Sequence, residues 1–235
     1  MNQTTLSDWL IIINGESNSG GCELNTMLTA AELEPYESVQ VLNNENLEFE
    51  PMQIGVNNLM GHIGIDPALH HGFELELANR ADQMPEGSAP VHLVKTGHGG
   101  STIGQWETPD IYYQIFLQRI NAAKELLEDK PIKPALFFSL GINDSNCETE
   151  ISIWIPKIKA HFTAMRSELG EETPIIMTKF MEYHAHYNDA IDQICSEDPN
   201  TCSVNTLDAT LLDINHWDYE GLKLVSGRLI DALLK

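Results

Sequence analysis

The sequence predicts an α/β three-layer sandwich, with a mainly parallel central sheet of about five strands between helices. Three observations predict it. Short apolar runs rich in β-branched residues alternate with longer stretches of helical period, the pattern of a parallel sheet covered on both faces. Small, polar, glycine-bearing clusters follow three of these runs, where the carboxyl edge of such a sheet presents side chains. The 235 residues can bury a sizeable core and suit one domain over 1–235, with no internal repeat, linker or low-complexity tract.

In chain order, Leu10 to Ile13 is the first strand, stopping at Asn14-Gly15-Glu16-Ser17-Asn18-Ser19-Gly20-Gly21. Residues 24–59 mix Asn, Glu and Pro with scattered apolar positions, which reads as loop with one or two short strands around Val39 to Leu42. A helix is expected over 64–80, with Pro67 in its first turn and Leu69, Phe73, Leu77 and Ala81 spaced four apart. Val91 to Lys95 is the second strand and enters Thr96-Gly97-His98-Gly99-Gly100-Ser101. Tyr112, Phe116, Ile120, Ala123 and Leu127 give the buried stripe of a helix over 109–128. Ala135 to Ser139 is the third strand and delivers Gly141-Ile142-Asn143-Asp144. Pro156 opens the next helix, with Ile158, Phe162, Met165 and Leu169 inward and Gly170 at its end. Pro174 to Thr178 is the fourth strand, 187–195 a helix and Ser203 to Thr206 a short fifth strand. A last helix over 219–234 buries Leu222, Val225, Leu229 and Leu233.

Thirteen basic against 35 acidic residues give a net charge of −22, which argues against nucleic acid and anionic membrane surfaces as partners. It also disfavours a polyanionic substrate. Met1 to Asp8 lacks the basic segment of a signal peptide, and no stretch approaches the roughly 20 apolar residues of a membrane span. A soluble protein is expected, cytoplasmic unless a removed leader had sent it to the periplasm or outside the cell. Cys195 and Cys202 flank a turn-rich loop that a disulfide could close, and Cys22 and Cys147 complete the four cysteines.

The first cluster presents Ser17 at the end of a buried strand. Far along the chain, Asp213 lies three residues before His216, just ahead of the last helix. A serine hydroxyl needs a neutral imidazole to take its proton, and the imidazole needs a carboxylate to fix its tautomer. Asp208 and Asp218 are rival carboxylates for that place.

Gly15-Glu16-Ser17-Asn18, Gly99-Gly100-Ser101, Gly141-Ile142-Asn143-Asp144 and Asp213-x-x-His216 together resemble the four ordered blocks of the SGNH hydrolase superfamily. Within it they are most similar to the sialate O-acetylesterase-like (SASA) carbohydrate esterases. The resemblance covers nearly the whole chain and implies the flavodoxin-like form of the sandwich. It implies Ser17 as nucleophile, His216 as base and Asp213 as its carboxylate, because the family pattern places the acid three residues before the histidine. It draws the oxyanion donors from the backbone of Ser17, the backbone of Gly100 (Gly99 being the alternative) and the side chain of Asn143. It would also bring Cys22 near Cys147. One departure stands out. The sialate-esterase branch carries a glutamine before the third-block glycine, where this chain has Leu140, whereas Asn143 fits the wider superfamily's Gly-x-Asn.

The activity this implies is hydrolysis of acetyl or other short acyl esters on a small or oligomeric carbohydrate, with Glu16, Trp106 and Trp217 as candidate substrate-binding residues. Its rivals are a lipase- or thioesterase-like enzyme of longer chains and a carbohydrate-binding protein without catalysis. His184-Ala-His186 and His70-His71 lack an acidic or cysteine partner at ligand spacing, so neither a metal nor a cofactor is expected.

Overall fold

Leu10, Ile11, Ile12 and Ile13 are wholly buried in the middle of β1 (Asp8–Gly15). Sequestering each such side chain is worth about 1.5–3 kcal/mol. The computed structural model describes residues 7–57, 66, 68–81, 84 and 90–235. After β1 come α1 (Ser17–Gly20), β2 (Glu23–Leu24), β3 (Tyr36–Leu42), β4 (Phe49–Met52), β5 (His70–His71) and α2 (Glu74–Asn79). There follow β6 (Val91–Lys95), α3 (Ile111–Leu126), β7 (Ile132–Ser139), α4 (Ile142–Asn146) and α5 (Ile151–Leu169). The chain ends with β8 (Ile175–Thr178), α6 (Asn188–Glu197), β9 (Thr201–Val204) and α7 (Tyr219–Leu233).

The central sheet has seven strands in the order β4-β3-β6-β1-β7-β8-β9. All its pairings are parallel except β3 with β4. The five strands expected from the sequence are the contiguous block β6-β1-β7-β8-β9, the flavodoxin-like order. The two additional strands extend the sheet beyond β6. β3 contains the short strand expected around Val39 to Leu42 and starts three residues earlier, where its inward pattern is mixed, whereas β4 is four residues long with Pro51 inside it and gives little signal. From β1 the chain continues to β6 on one side and β7 on the other. This is a topological switch point, and such sheets bind ligands outside the strands' carboxyl ends there.

Several expected elements differ in extent. Among the described residues, the helix expected over 64–80 covers Glu74–Asn79, and His70–His71 instead pairs with Glu23–Leu24 as a separate two-stranded ribbon. Leu69 is correspondingly exposed, whereas Phe73, Leu77 and Ala81 are buried as expected. The proposed first-turn role of Pro67 lies outside the described residues. α5 begins at Ile151, so Pro156 lies inside the helix rather than opening it. The fifth strand runs two residues earlier than its apolar pattern suggested, with Thr201 and Val204 inward.

Burial at the end of β6 includes an ion pair. Lys95 Nζ is 2.7 Å from Glu74 Oε2, each side chain being 1% exposed, and Glu74 Oε1 accepts from Gly72 N–H at 2.9 Å. Removing one partner leaves an uncompensated buried charge, at a cost of about 3–5 kcal/mol. Lys95→Met should therefore lower the urea-unfolding free energy by about that amount. Lys95→Met with Glu74→Gln, which keeps an acceptor for Gly72, should restore most of it.

All four cysteines are unpaired, so neither disulfide considered from the sequence is formed. Burial pushes the thiols of Cys22 and Cys195 up to about 12 and 11. Among the described residues, no helix is long and apolar enough to cross a membrane.

Candidate active site

Three adjacent strands, β6, β1 and β7, deliver the glycine-bearing clusters to one edge of the sheet. Close backbone approach holds the clusters together. Gly15 has φ +137°, and a Cβ there would lie 1.9 Å from Ser139 O, so only glycine lets the end of β1 lie against β7. Glu16 N–H then donates to Ser139 O at 2.8 Å. On the other side a Cβ at Gly97 would meet Gly20 N at 2.6 Å, so the segment after β6 lies directly on α1.

Ser17 opens α1 and is almost fully buried. Its Oγ is 3.0 Å from His216 Nε2, although 199 residues separate the two. His216 Nδ1 is 2.9 Å from both carboxylate oxygens of Asp213. An ionised carboxylate only accepts, so this contact places the ring proton on Nδ1 and leaves the Nε2 lone pair facing the serine hydroxyl. Partial burial works to raise the Asp213 carboxyl, but bonds from the His216 ring and from the N–H groups of Asn215 and His216 hold it below its ordinary value. Ser17, His216 and Asp213 therefore converge with hydrogen-bonding geometry. The rival acids are engaged elsewhere: Asp208 pairs with Arg228, and Asp218 caps α7 through Gly221 N–H.

The loop carrying Asp213 and His216 is fastened at several points. Leu211 bridges to Trp217, and Leu212 N–H donates to His216 O at 2.9 Å. Asn215 joins it to the rest of the site. Its carbonyl accepts from Asn18 Nδ2 at 2.9 Å, and its Oδ1 faces His184 Nε2 at 2.9 Å and Asn146 Nδ2 at 3.2 Å. His184 Nδ1 in turn lies 2.8 Å from Ser145 Oγ. No local pattern signals this use of His184. Its ring is committed to Asn215 and Ser145. His71 is similarly held by Asn25 Oδ1 at 3.0 Å, and burial lowers it to about 4.

The substrate-binding assignments require correction. Glu16 is fully buried and points into the protein. Its carboxylate accepts from the N–H groups of Gly141, Ile142 and Asn143 at 2.9, 2.6 and 2.9 Å, and from the Asn143 side-chain amide. Burial pushes Glu16 up to about 7, against the downward pull of the three backbone donors. Trp106 is 1% exposed and donates from Nε1 to Ser101 Oγ at 2.9 Å, which supports the second cluster from below. Trp217 is also 1% exposed and packs on Phe73, ring centroids 6.0 Å apart, so it anchors the His216 loop. Neither indole face is free to stack on a sugar. Gly100, by contrast, is exposed with φ +75°, and Gly99 beside it is buried. Asn143 is half-buried, and its amide keeps one N–H beyond that given to Glu16.

No curated protein matches the chain. Among solved structures it is similar to a protein of Arabidopsis thaliana, with a TM-score of 0.78, 18% identity, and 97% of this chain and 98% of that one covered. NanS gives a TM-score of 0.72 at 13% identity, with 98% of each chain covered. A carbohydrate acetylesterase from Xanthomonas citri gives 0.64 at 14% identity, over 94% of this chain and 55% of that one. These likenesses agree with the α/β fold. Residues 7–235 match the profile of the SASA family, described as carbohydrate esterases and sialic acid-specific acetylesterases, and the chain belongs to that family of ester hydrolases.

Proposed function

We propose that the protein removes acetyl groups from a carbohydrate through an acyl-enzyme on Ser17. The observation that carries this reading is the continuous relay from Ser17 Oγ to His216 Nε2 and from His216 Nδ1 to Asp213. In the first half-reaction Ser17 Oγ attacks the ester carbonyl while its proton passes to His216 Nε2. Asp213 stabilises the imidazolium that forms. His216 then protonates the departing sugar hydroxyl. In the second half-reaction it takes a proton from water, which attacks the acyl-enzyme and frees acetate and Ser17.

The tetrahedral intermediates carry charge on the former carbonyl oxygen. Ser17 N–H, Gly100 N–H and the remaining Asn143 amide N–H are the proposed donors, one from each of the three adjacent strand ends. Gly100 is favoured over Gly99 because it is exposed at the site edge. Two of the donors belong to the backbone and the Asn143 amide is held by its bond to Glu16, so the three are oriented before substrate arrives, and such preorganisation makes them effective. The whole of 1–235 is proposed to act as one domain.

The test is a chain-length series. p-Nitrophenyl acetate should be hydrolysed with a kcat/KM about tenfold or more above that of the octanoate, because each surplus methylene beyond a short acyl pocket costs binding. Acetylated carbohydrate should release acetate under the same conditions. Equal or faster cleavage of octanoate would favour the lipase-like reading and remove the acetyl assignment.

A further inference from the structure

Beside the third cluster lies a cavity of about 470 Å³, walled by Ser145, Glu148, Ile151, Tyr183 and His186 among others. A short chain of hydrogen bonds links it to the nucleophile turn. Asn18, next to Ser17, donates to Asn215 O at 2.9 Å. Asn215 Oδ1 meets His184 Nε2 at 2.9 Å, and His184 Nδ1 meets Ser145 Oγ at 2.8 Å in the cavity wall. One network thus sets both the His216 loop and this wall.

The lining has the chemistry that sugars need. Tyr183 is 65% exposed, and its ring is held edge-on against the buried His184 ring at a centroid distance of 4.9 Å and an angle of 76°. A fixed, exposed aromatic ring supplies an apolar surface for the C–H face of a sugar. Around it stand a hydroxyl, a carboxylate and an imidazole, each able to bond a sugar hydroxyl.

The charge of the cavity is equally specific. Glu148 contributes a carboxylate, and no lysine or arginine lines the wall. All 13 basic residues lie among the described residues, so each can be placed. Most face a carboxylate, including Lys157 with Glu107 and Lys179 with Asp192. Of the others, Arg119 is buried and donates to Lys95 O, and Lys133 lies over Trp9, towards the far end of β7 from the site. Lys223 lies over Tyr219 on α7, and Lys235 is the last residue. A sugar acid seated in the cavity would meet Glu148 and a chain of net charge −22, with no lysine or arginine in the wall to pair with its carboxylate.

We propose that this cavity is the sugar subsite of the ester-cleaving centre, that Tyr183 is its stacking face, and that it takes a sugar unit without an acid group. The inference rests on the acetylesterase reading above and narrows its substrate class away from the sialic acids after which the family is described.

The experiment compares partially acetylated methyl glucoside with partially acetylated methyl glucuronide, which differ by one carboxylate, and includes O-acetylated sialic acid. The neutral glucoside should be hydrolysed with a kcat/KM about tenfold or more above both acids. Tyr183→Ala should raise KM for the glucoside ester about tenfold and lower its rate relative to p-nitrophenyl acetate by a similar factor. Glu148→Lys should narrow the gap between glucoside and glucuronide about fivefold. Acidic esters cleaved as fast as the neutral one, or a Tyr183→Ala variant with an unaltered KM for the glucoside, would overturn the proposal. So would cleavage of p-nitrophenyl acetate with none of the sugar esters, which leaves the serine-esterase reading intact. If p-nitrophenyl acetate were not cleaved either, that reading would fail separately. Calorimetric binding of the glucoside ester to Ser17→Ala, with and without Tyr183→Ala, would still decide the subsite: weaker binding without the tyrosine supports it, and equal or no binding overturns it.

Discussion

Ser17→Ala is expected to lower the turnover of p-nitrophenyl acetate by about 10⁴-fold or more while leaving the fold in place. The substitution removes one hydroxyl, whose partner is His216 Nε2. The bonds that shape α1 use the backbone instead: Gly21 N–H donates to Ser17 O and Gly20 N–H to Glu16 O, both at 2.7 Å. Stability should therefore change by less than about 1 kcal/mol, read from the urea midpoint. A residual rate above that in water should persist, because donors aimed at the oxyanion can still assist attack by water. His216→Ala should cost a comparable factor, and the double variant little more, since the two groups act as one unit. A Ser17→Ala variant with wild-type turnover would rule out the acyl-enzyme and place the nucleophile elsewhere.

How much of this was legible beforehand depends on what each residue's role requires of its neighbours. The strands β1, β6, β7 and β8 are apolar runs that must be buried on both faces, and such runs identify themselves. β3 and β4 lie at one end of the sheet, where inward and outward demands alternate weakly, so the sequence showed only the Val39 to Leu42 part of β3 and left β4 within loop. Ser17, His216 and Asp213 stand within short motifs whose resemblance to the SGNH blocks implied that they meet, and the hydrogen bonds among them agree with that. Direction was not readable. Trp106 and Trp217 stand next to the motifs in sequence, but a motif's neighbour can point inward as easily as outward, and both indoles support the site from beneath. The use of His184 depends on Asn215, 31 positions away, a pairing that no local pattern announces.

Glu16 illustrates the same limit and leads to the second large effect. A charged residue beside a nucleophile suggests contact with substrate, yet this carboxylate is the acceptor around which the third cluster is folded. Glu16→Ala would leave the N–H groups of Gly141, Ile142 and Asn143 buried or half-buried without their acceptor. Stranding such donors costs about 1–3 kcal/mol each, partly relieved by relaxation or entering water, so a loss of about 3–5 kcal/mol is expected. The pH dependence of that loss has a definite sign. Burial raises Glu16 from 4.5 to about 7, so its contribution is fullest below about pH 4.5 and declines as pH rises through about 7. The stability gap between wild type and Glu16→Ala should accordingly be widest in acid and narrow towards pH 8. Turnover should also fall, because Asn143 loses the partner that fixes its amide. Asn143→Ala, which deletes the amide itself, should lower kcat by about 10²–10³-fold, the usual cost of one oxyanion donor. If Glu16 acts on catalysis by orienting Asn143, adding Glu16→Ala to Asn143→Ala should reduce kcat much less than adding it to wild type. Full additivity in kcat would separate the two residues. It would leave Glu16 as a stabiliser of the third cluster with no part in aiming the amide.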